Sequence, residues 1–181
     1  MFSKISKLLS CSCRDQTDER SVHLFDTSSG KPLNDGKPFT HRQEVLEVAV
    51  NQTGLPNERK LAFIDRNHDL YLTSVRKFGG SLVPGKLGVM VQSMLWAADC
   101  PMLAAMQETR FTIWYYPAII YVDKALLGQT LVERDTAEFG KHPVITSFLK
   151  NSISIRRAEA SHHMERDIFR NNLRKNCRAP L

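Results

Sequence analysis

The sequence predicts an all-β protein, a partial β-propeller of about three blades that ends in a short basic helix. Three observations predict this fold: apolar stretches that end in polar turns, a nearly constant step between similar stretches, and an extra strand before two of them. A repeat of ~40–45 residues with about four strands is typical of a propeller blade, which buries its faces against neighbouring blades.

Three stretches of the sequence align as hairpins, each an apolar strand, a polar turn and a second, alternating strand. They are LAFIDRNHDLYLTSV from Leu61, MLAAMQETRFTIWYY from Met102 and ITSFLKNSISIRRAE from Ile145. In the second strands, the step from Leu70 to Phe111 is 41 residues and the step from Phe111 to Ile153 is 42 residues. A β-sandwich would also give short strands, but it would not require these steps.

Further strands surround the hairpins. Residues 44–50 and 89–97 predict strands before the first and second hairpins, and residues 22–25 predict a strand that runs into a Ser-Ser-Gly turn. Val22 and Leu24 fit the second-strand role of an earlier unit, although the step from Val22 to Leu70 is 48 residues. We interpret the longer step as a loop insertion.

The composition and charge exclude several classes of protein. The 181 residues are 42% hydrophobic and 24% charged, as in ordinary globular domains. No apolar run approaches the ~20 residues that a membrane-spanning helix needs. The whole chain has a net charge of +6. Residues 156–181 carry seven basic and three acidic side chains, so most of this charge lies in the tail and the rest of the chain is nearly neutral. The alternative to a protein scaffold is therefore a β-rich module whose basic tail binds nucleic acid or a membrane surface.

No set of residues predicts catalysis, a cofactor or a metal. Asp65–Asp69 is similar to the start of a calcium loop, but the positions that need Gly and Glu hold Leu70 and Arg76, so we predict a hairpin turn. Residues 77–88 are glycine-rich but lack the Ser or Thr of a phosphate loop, and we interpret them as a loop between blades. The Cys11–Cys13 and His162–His163 pairs have no further ligands at metal-site spacing. We predict that the protein is not an enzyme.

Several strings in the chain are specific to one family. The strings are WYYP, YVD, ERD-x-x-EF, IRRA and SVHLFDTSSGKPL, all within residues 20–159. On these strings the chain resembles the eighty-kilodalton WD-repeat subunits of intraflagellar transport complex B. The resemblance implies two WD-repeat propellers followed by a helical solenoid, with this chain similar to part of the second propeller. It also implies a non-enzymatic scaffold that needs no cofactor.

The resemblance also implies partners and a location. The partners would be other complex B subunits and a second copy of the chain, and the location would be the cilium, the ciliary base and the cytoplasm. We divide the chain into a divergent N-terminal segment (1–20), a partial WD-repeat propeller (21–159) and a divergent basic tail (160–181). Apolar residues at helical spacing predict an amphipathic helix in the tail: Met164, Ile168, Phe169 and Leu173. We expect a truncated fragment or isoform that is marginally stable alone, because an unclosed propeller leaves edges exposed.

Partner-binding residues are predicted on loops and rims, where propellers present variable side chains. Arg66, Arg110 and Arg156 occur on successive units, and Arg157 would point to the face opposite Arg156. Trp114, Tyr115 and Tyr116 are predicted to continue a strand as far as Pro117. We interpret these aromatic side chains as packing between blades rather than as a ligand site.

Overall fold

Short antiparallel strands and the turns between them make up most of the described part of the protein. The computed structural model describes residues 19–55, 58–76, 83–139, 143–149 and 152–156. The strands are β1 (Ser21–Val22), β2 (Phe39–Thr40), β3 (Val45–Val50), β4 (Lys60–Asp65), β5 (Leu70–Ser74), β6 (Gly85–Gly88), β7 (Val91–Trp96), β8 (Leu103–Gln107), β9 (Arg110–Trp114), β10 (Leu131–Asp135), β11 (Val144–Leu149) and β12 (Ser152–Arg156). Short 3₁₀ turns occupy Asn34–Gly36, Pro117–Tyr121, Lys124–Gln129 and Thr136–Phe139.

The strands form four sheets in chain order. Strands β1 and β2 make an N-terminal pair, β3–β6 make sheet 1, β7–β10 make sheet 2, and β11 with β12 make sheet 3. In sheets 1 and 2 each strand pairs with the next along the chain, so the first strand lies at one edge and the fourth at the other. The first strands lie side by side, β3 against β7 and β7 against β11. Sheets whose first strands converge in this way are arranged as blades about a common axis, which confirms the predicted partial propeller.

The central strands of the sheets are apolar on both faces because each blade lies between two neighbours. In β4, Leu61 and Phe63 face the N-terminal pair, whereas Ala62 and Ile64 face sheet 2. Alternate residues of a strand point to opposite faces, so a continuous apolar run fills two cores. Strand β8 repeats the arrangement between sheets 1 and 3.

Three apolar cores therefore separate consecutive sheets. The core between sheets 1 and 2 contains Ala62, Ile64, Leu70, Leu72, Leu87, Val91, Met94, Trp96, Leu103, Ala105 and Trp114. The core between sheets 2 and 3 contains Ala97, Ala104, Met106, Phe111, Ile113, Phe139, Ile145, Phe148 and Ile153. The core between the N-terminal pair and sheet 1 contains Val22, Leu24, Phe39, Val50, Leu61, Phe63 and Val75.

The structure corrects the alignment of the third hairpin. The first pair of strands in each sheet has a register shift at the same place, after Val45 in β3, Val91 in β7 and Ile145 in β11. Strand β11 is therefore a first strand, and β12 a second strand. The 42-residue step from Phe111 to Ile153 joins a third strand to a second strand, so its agreement with the 41-residue step is a coincidence of loop lengths.

Two predicted boundaries are also wrong. Strand β7 begins at Val91 rather than Val89, because Met90 adopts a φ of +56° that takes the chain out of extended conformation. The predicted interblade loop at 77–88 contains β6, the fourth strand of sheet 1, at Gly85–Gly88. It is a strand because Leu87 faces the core beside β5.

The aromatic run divides into three environments. Trp114 is 2% exposed in the core between sheets 1 and 2, which agrees with its predicted packing between blades. Strand β9 ends at Trp114, so the prediction that it continues to Pro117 is wrong. Tyr115 is half-buried against the core between sheets 2 and 3. Tyr116 is 58% exposed, so its predicted packing role is wrong. After Tyr116 the chain enters a 3₁₀ turn, which begins at Pro117.

Some predictions fall outside the described residues, including the tail helix, the Cys11–Cys13 pair, the His162–His163 pair and most of segment 1–20. Among the residues that the structure describes, no helix has the length and apolar character needed to cross a membrane.

Candidate interaction face

One end of the sheets carries two of the three polar turns that the sequence predicts. The third is predicted between β11 and β12, whose Leu149–Ser152 pair lies at the opposite end. The first strand of each sheet begins opposite the end of the second strand, in the pairs Val45–Asp65, Val91–Gln107 and Val144–Arg156. The β4–β5 turn, the β8–β9 turn and the end of β12 therefore lie at the same end of three successive sheets. We name this surface the turn face.

Asp65 makes the β4–β5 turn rigid from within. Its side chain is buried, and its Oδ1 accepts hydrogen bonds from the backbone N–H groups of Asn67 and Asp69, both at 3.0 Å. Its Oδ2 lies 3.3 Å from Nε2 of His41. A carboxylate held by backbone donors fixes the turn, which confirms the hairpin prediction for Asp65–Asp69. Within the described ranges no cluster of three or more His, Cys, Asp or Glu side chains is placed to hold a metal ion.

Hydrogen bonds join the turns of neighbouring blades. The carbonyl of His68 accepts from the N–H of Val91 at 2.8 Å, and Nδ1 of His68 lies 3.1 Å from the Val91 carbonyl. Farther along, the N–H of Glu108 donates to the Met90 carbonyl at 3.3 Å, and Oγ1 of Thr136 donates to the Glu108 carbonyl at 2.8 Å. The turn face is therefore one connected surface rather than a set of independent loops.

The structure brings three of the four predicted partner-binding arginines to the turn face. The side chains of Arg66 and Arg110 are 73% and 62% exposed. Each faces one carboxylate, Glu44 at 3.5 Å and Glu133 at 3.4 Å. The exposed Arg156 ends β12 at the same level, whereas Arg157 lies outside the described residues.

The exposed ion pairs leave Arg66 and Arg110 available to a partner. Pairs of this kind contribute about 0–1 kcal/mol, so a partner carboxylate can replace either glutamate at little cost. A shorter pair joins Lys86 Nζ to Asp69 at 2.6 Å, and the hydrogen bond to Asp69 raises the pKa of Lys86.

Two apolar side chains on the turn face were not predicted as site residues. Val89 and Met90 form the turn between β6 and β7 and are 49% and 53% exposed. Their turn lies between the β4–β5 and β8–β9 turns, which carry Arg66 and Arg110. The sequence assigns Val89 and Met90 to a strand because they continue an apolar run. The positive φ at Met90, which lifts both side chains out of the sheet, carries no signal in the sequence.

The convergent first strands, the cores between sheets and the connected turn face define the class: a β-propeller domain. The domain family described as the IFT80 second beta-propeller matches residues 10–166. The intraflagellar transport protein 80 homolog of Rattus norvegicus is 50% identical over 148 residues, which cover 82% of this chain and 19% of that protein. The Mus musculus homolog is 51% identical over the same shares. The chain belongs to the IFT80 second β-propeller family and spans about a fifth of the length of these relatives.

Proposed function

We propose that this chain is a non-enzymatic scaffold of intraflagellar transport complex B. It mediates protein–protein contacts that cilium assembly and ciliary transport need, at the cilium, the ciliary base and in the cytoplasm. Its partners are other complex B subunits, with self-association as a further contact. In this proposal residues 21–159 act as the partial WD-repeat propeller, flanked by the divergent segments 1–20 and 160–181.

One observation carries the proposal: half of the residues are identical to intraflagellar transport proteins across 82% of the chain. The matched 148 residues make up most of the chain, so the similarity to intraflagellar transport proteins covers the propeller region as a whole. The relatives are about five times longer than the matched region, so contacts made by their other parts are not attributed to this chain.

The turn face supports the proposal physically. Its backbone is fixed by Asp65 and by hydrogen bonds between blades, so binding would cost little ordering entropy there. It presents Arg66 and Arg110 on either side of the apolar Val89–Met90 turn. Arginine beside an apolar anchor is a common composition for the centre of a protein interface.

A capture experiment with the full chain tests the proposal. Tagged chain is expressed in ciliated cells, and complex B subunits that copurify are quantified. We expect Arg66→Glu and Arg110→Glu each to reduce capture at least about tenfold, because charge reversal at a buried contact costs several kcal/mol. Lys124→Glu is the matched control, since Lys124 is exposed on the opposite end of the sheets and should leave capture unchanged.

A second variant separates the proposal from the basic-tail alternative. Deletion of residues 160–181 should leave capture of transport subunits intact. The proposal is overturned if the wild-type chain captures no transport subunit, or if the deletion removes all binding and the wild-type chain retains only RNA or anionic vesicles. Equal capture by the two arginine variants and Lys124→Glu would overturn the assignment of the turn face.

A further inference from the structure

A segment of sheet 2 reaches across to the outer edge of sheet 1. Between β9 and β10, residues 115–130 form two 3₁₀ turns, Pro117–Tyr121 and Lys124–Gln129. The first turn lies against β6, the fourth strand of sheet 1, and Ile120 and Leu127 pack onto the core between the two sheets. We name residues 115–130 the strap.

Tyr121 joins the strap to the backbone of sheet 1. Its hydroxyl donates a hydrogen bond to the Leu72 carbonyl and accepts one from the Gly85 N–H at 3.4 Å. Leu72 and Gly85 are opposite each other in the β5–β6 register, at the point where β6 begins. The hydroxyl therefore bridges the two strands at the end of their ladder and acts as an additional rung.

Neighbouring residues pack closely against the Tyr121 contact. A Cβ atom on Gly85 would lie 3.1 Å from two carbon atoms of the Ile120 side chain, so the strap fits closely against bare backbone. The ammonium group of Lys60 lies 5.7 Å from the centre of the Tyr121 ring, within range of a cation–π contact. Lys60 also donates to Oγ of Ser74 at 2.8 Å, which fixes it beside the ring.

Apart from Leu87 in the core and the Lys86–Asp69 ion pair, strand β6 is weakly built. It is four residues long, two of them glycine, and its pairing with β5 contains a register shift between Leu70 and Tyr71. Glycine weakens a strand, and an edge strand pairs on one side only. The strap, which comes from the next blade and is hydrogen-bonded through Tyr121, therefore stabilises β6 more than it would stabilise a longer central strand.

We propose that the strap is a latch, closed by the Tyr121 hydroxyl, through which a segment of sheet 2 holds β6 paired with β5 in sheet 1. When the latch is engaged, the outer edge of β5 is covered by β6. When Tyr121 is released, β6 separates from β5 in a local opening that leaves sheet 2 folded. This inference concerns the opposite end of the sheets from the turn face and does not depend on the proposed partners.

Native-state amide hydrogen exchange, followed by NMR on the full chain, tests the latch. Tyr121→Phe removes only the hydroxyl, and Tyr116→Phe is the matched control on an exposed tyrosine of the same strap. We expect Tyr121→Phe to accelerate exchange at the amides that pair β5 with β6 by about fivefold, the effect of one ordinary hydrogen bond. Exchange in β8 and in the control variant should match the wild-type chain.

Gly85→Ala provides a second, independent opening of the latch. It keeps the hydroxyl but forces Ile120 away from β6, so it should accelerate the same amides and leave β8 unchanged. The inference is overturned if Tyr121→Phe and Tyr116→Phe give the same β6 exchange rates. It is equally overturned if either opening variant accelerates β6 and β8 by the same factor, since that would report global rather than local opening.

Discussion

The two cores that flank sheet 2 differ in how many strands of the neighbouring sheet contribute described residues to them. The core against sheet 1 contains two tryptophans, Trp96 and Trp114. All four strands of sheet 1 contribute to it, β4, β5 and β6 with buried residues and β3 with the partly buried Ala49. The indole N–H of Trp96 donates to the Ala49 carbonyl at 3.0 Å, and the strap covers the outer end. From sheet 3, the second core receives residues of the two described strands, β11 and β12.

This difference shows what a propeller blade needs from its neighbours. Within the described residues, four strands of sheet 1 face one side of sheet 2, whereas two strands of sheet 3 face the other and contribute Ile145, Phe148 and Ile153 to the shared core. Cohesion between the described blades is therefore uneven. The core between sheets 1 and 2 should be the more stable and the less tolerant of cavities.

The largest expected effect separates these two cores directly. Trp114→Ala should lower the free energy of unfolding by about 3–5 kcal/mol, because it opens a cavity between two complete sheets. Ile153→Ala should cost about 2–3 kcal/mol, since it removes a smaller side chain than tryptophan and leaves a smaller cavity. Urea denaturation monitored by circular dichroism measures both values. Tyr116→Ala, at an exposed position, is the control and should change stability by less than about 0.5 kcal/mol. A larger loss for Ile153→Ala than for Trp114→Ala would contradict the comparison.

A smaller effect should appear at the inner edge of the core between sheets 1 and 2. Burial raises the pKa of Glu47 on β3, while a hydrogen bond from the backbone N–H of Met94 on β7 partly opposes the rise. A carboxyl whose pKa is raised by folding binds more protons in the folded state than in the unfolded state. Its contribution to stability is therefore greatest below the unfolded pKa, and it is lost as the pH rises through the folded pKa.

Glu47→Gln should remove that pH dependence. At neutral pH the variant should be more stable than the wild-type chain by up to about 0.5 kcal/mol, a modest gain because the carboxyl keeps part of its contact with water. Unfolding free energies measured between pH 4 and pH 7 test this, with Glu108→Gln on an exposed turn as the control. A variant that loses stability relative to wild type as the pH rises would contradict the sign of the shift.

Parts of this fold could be predicted from residue patterns, and the reason is burial on two faces. Strands β4 and β8 read as continuous apolar runs because each fills two cores, and their turns are polar because they lie on the wet turn face. Arg66 and Arg110 could be placed on one face for the same reason, whereas Arg156 reaches that face because β12 is the second strand of sheet 3 rather than its third. These features depend on local chemistry, which the sequence records.

Other parts could not be predicted because they depend on distances between segments. The spacing between similar stretches does not identify β11 as the first strand of sheet 3, because the 42-residue step includes loop residues as well as strand residues. Measured at the register shift, the steps are 46 residues from Val45 to Val91 and 54 from Val91 to Ile145, and the strap lies within the longer one. Tyr116 and Tyr121 have the same side chain, yet one is a largely exposed strap residue and the other bridges two strands.

The position of β11 as the first strand of sheet 3 is the central claim, because it defines the blades and places Arg156 on the turn face. In the structure the Ala98 N–H donates to the Phe148 carbonyl at 3.0 Å, which joins the end of sheet 2's first strand to β11. A ¹⁵N-edited NOESY spectrum of the chain measures this contact. We expect a cross-peak between the Ala98 amide and the Hα of Phe148 or Leu149. No such cross-peak, with β11 instead giving cross-peaks to β10, would contradict the blade assignment.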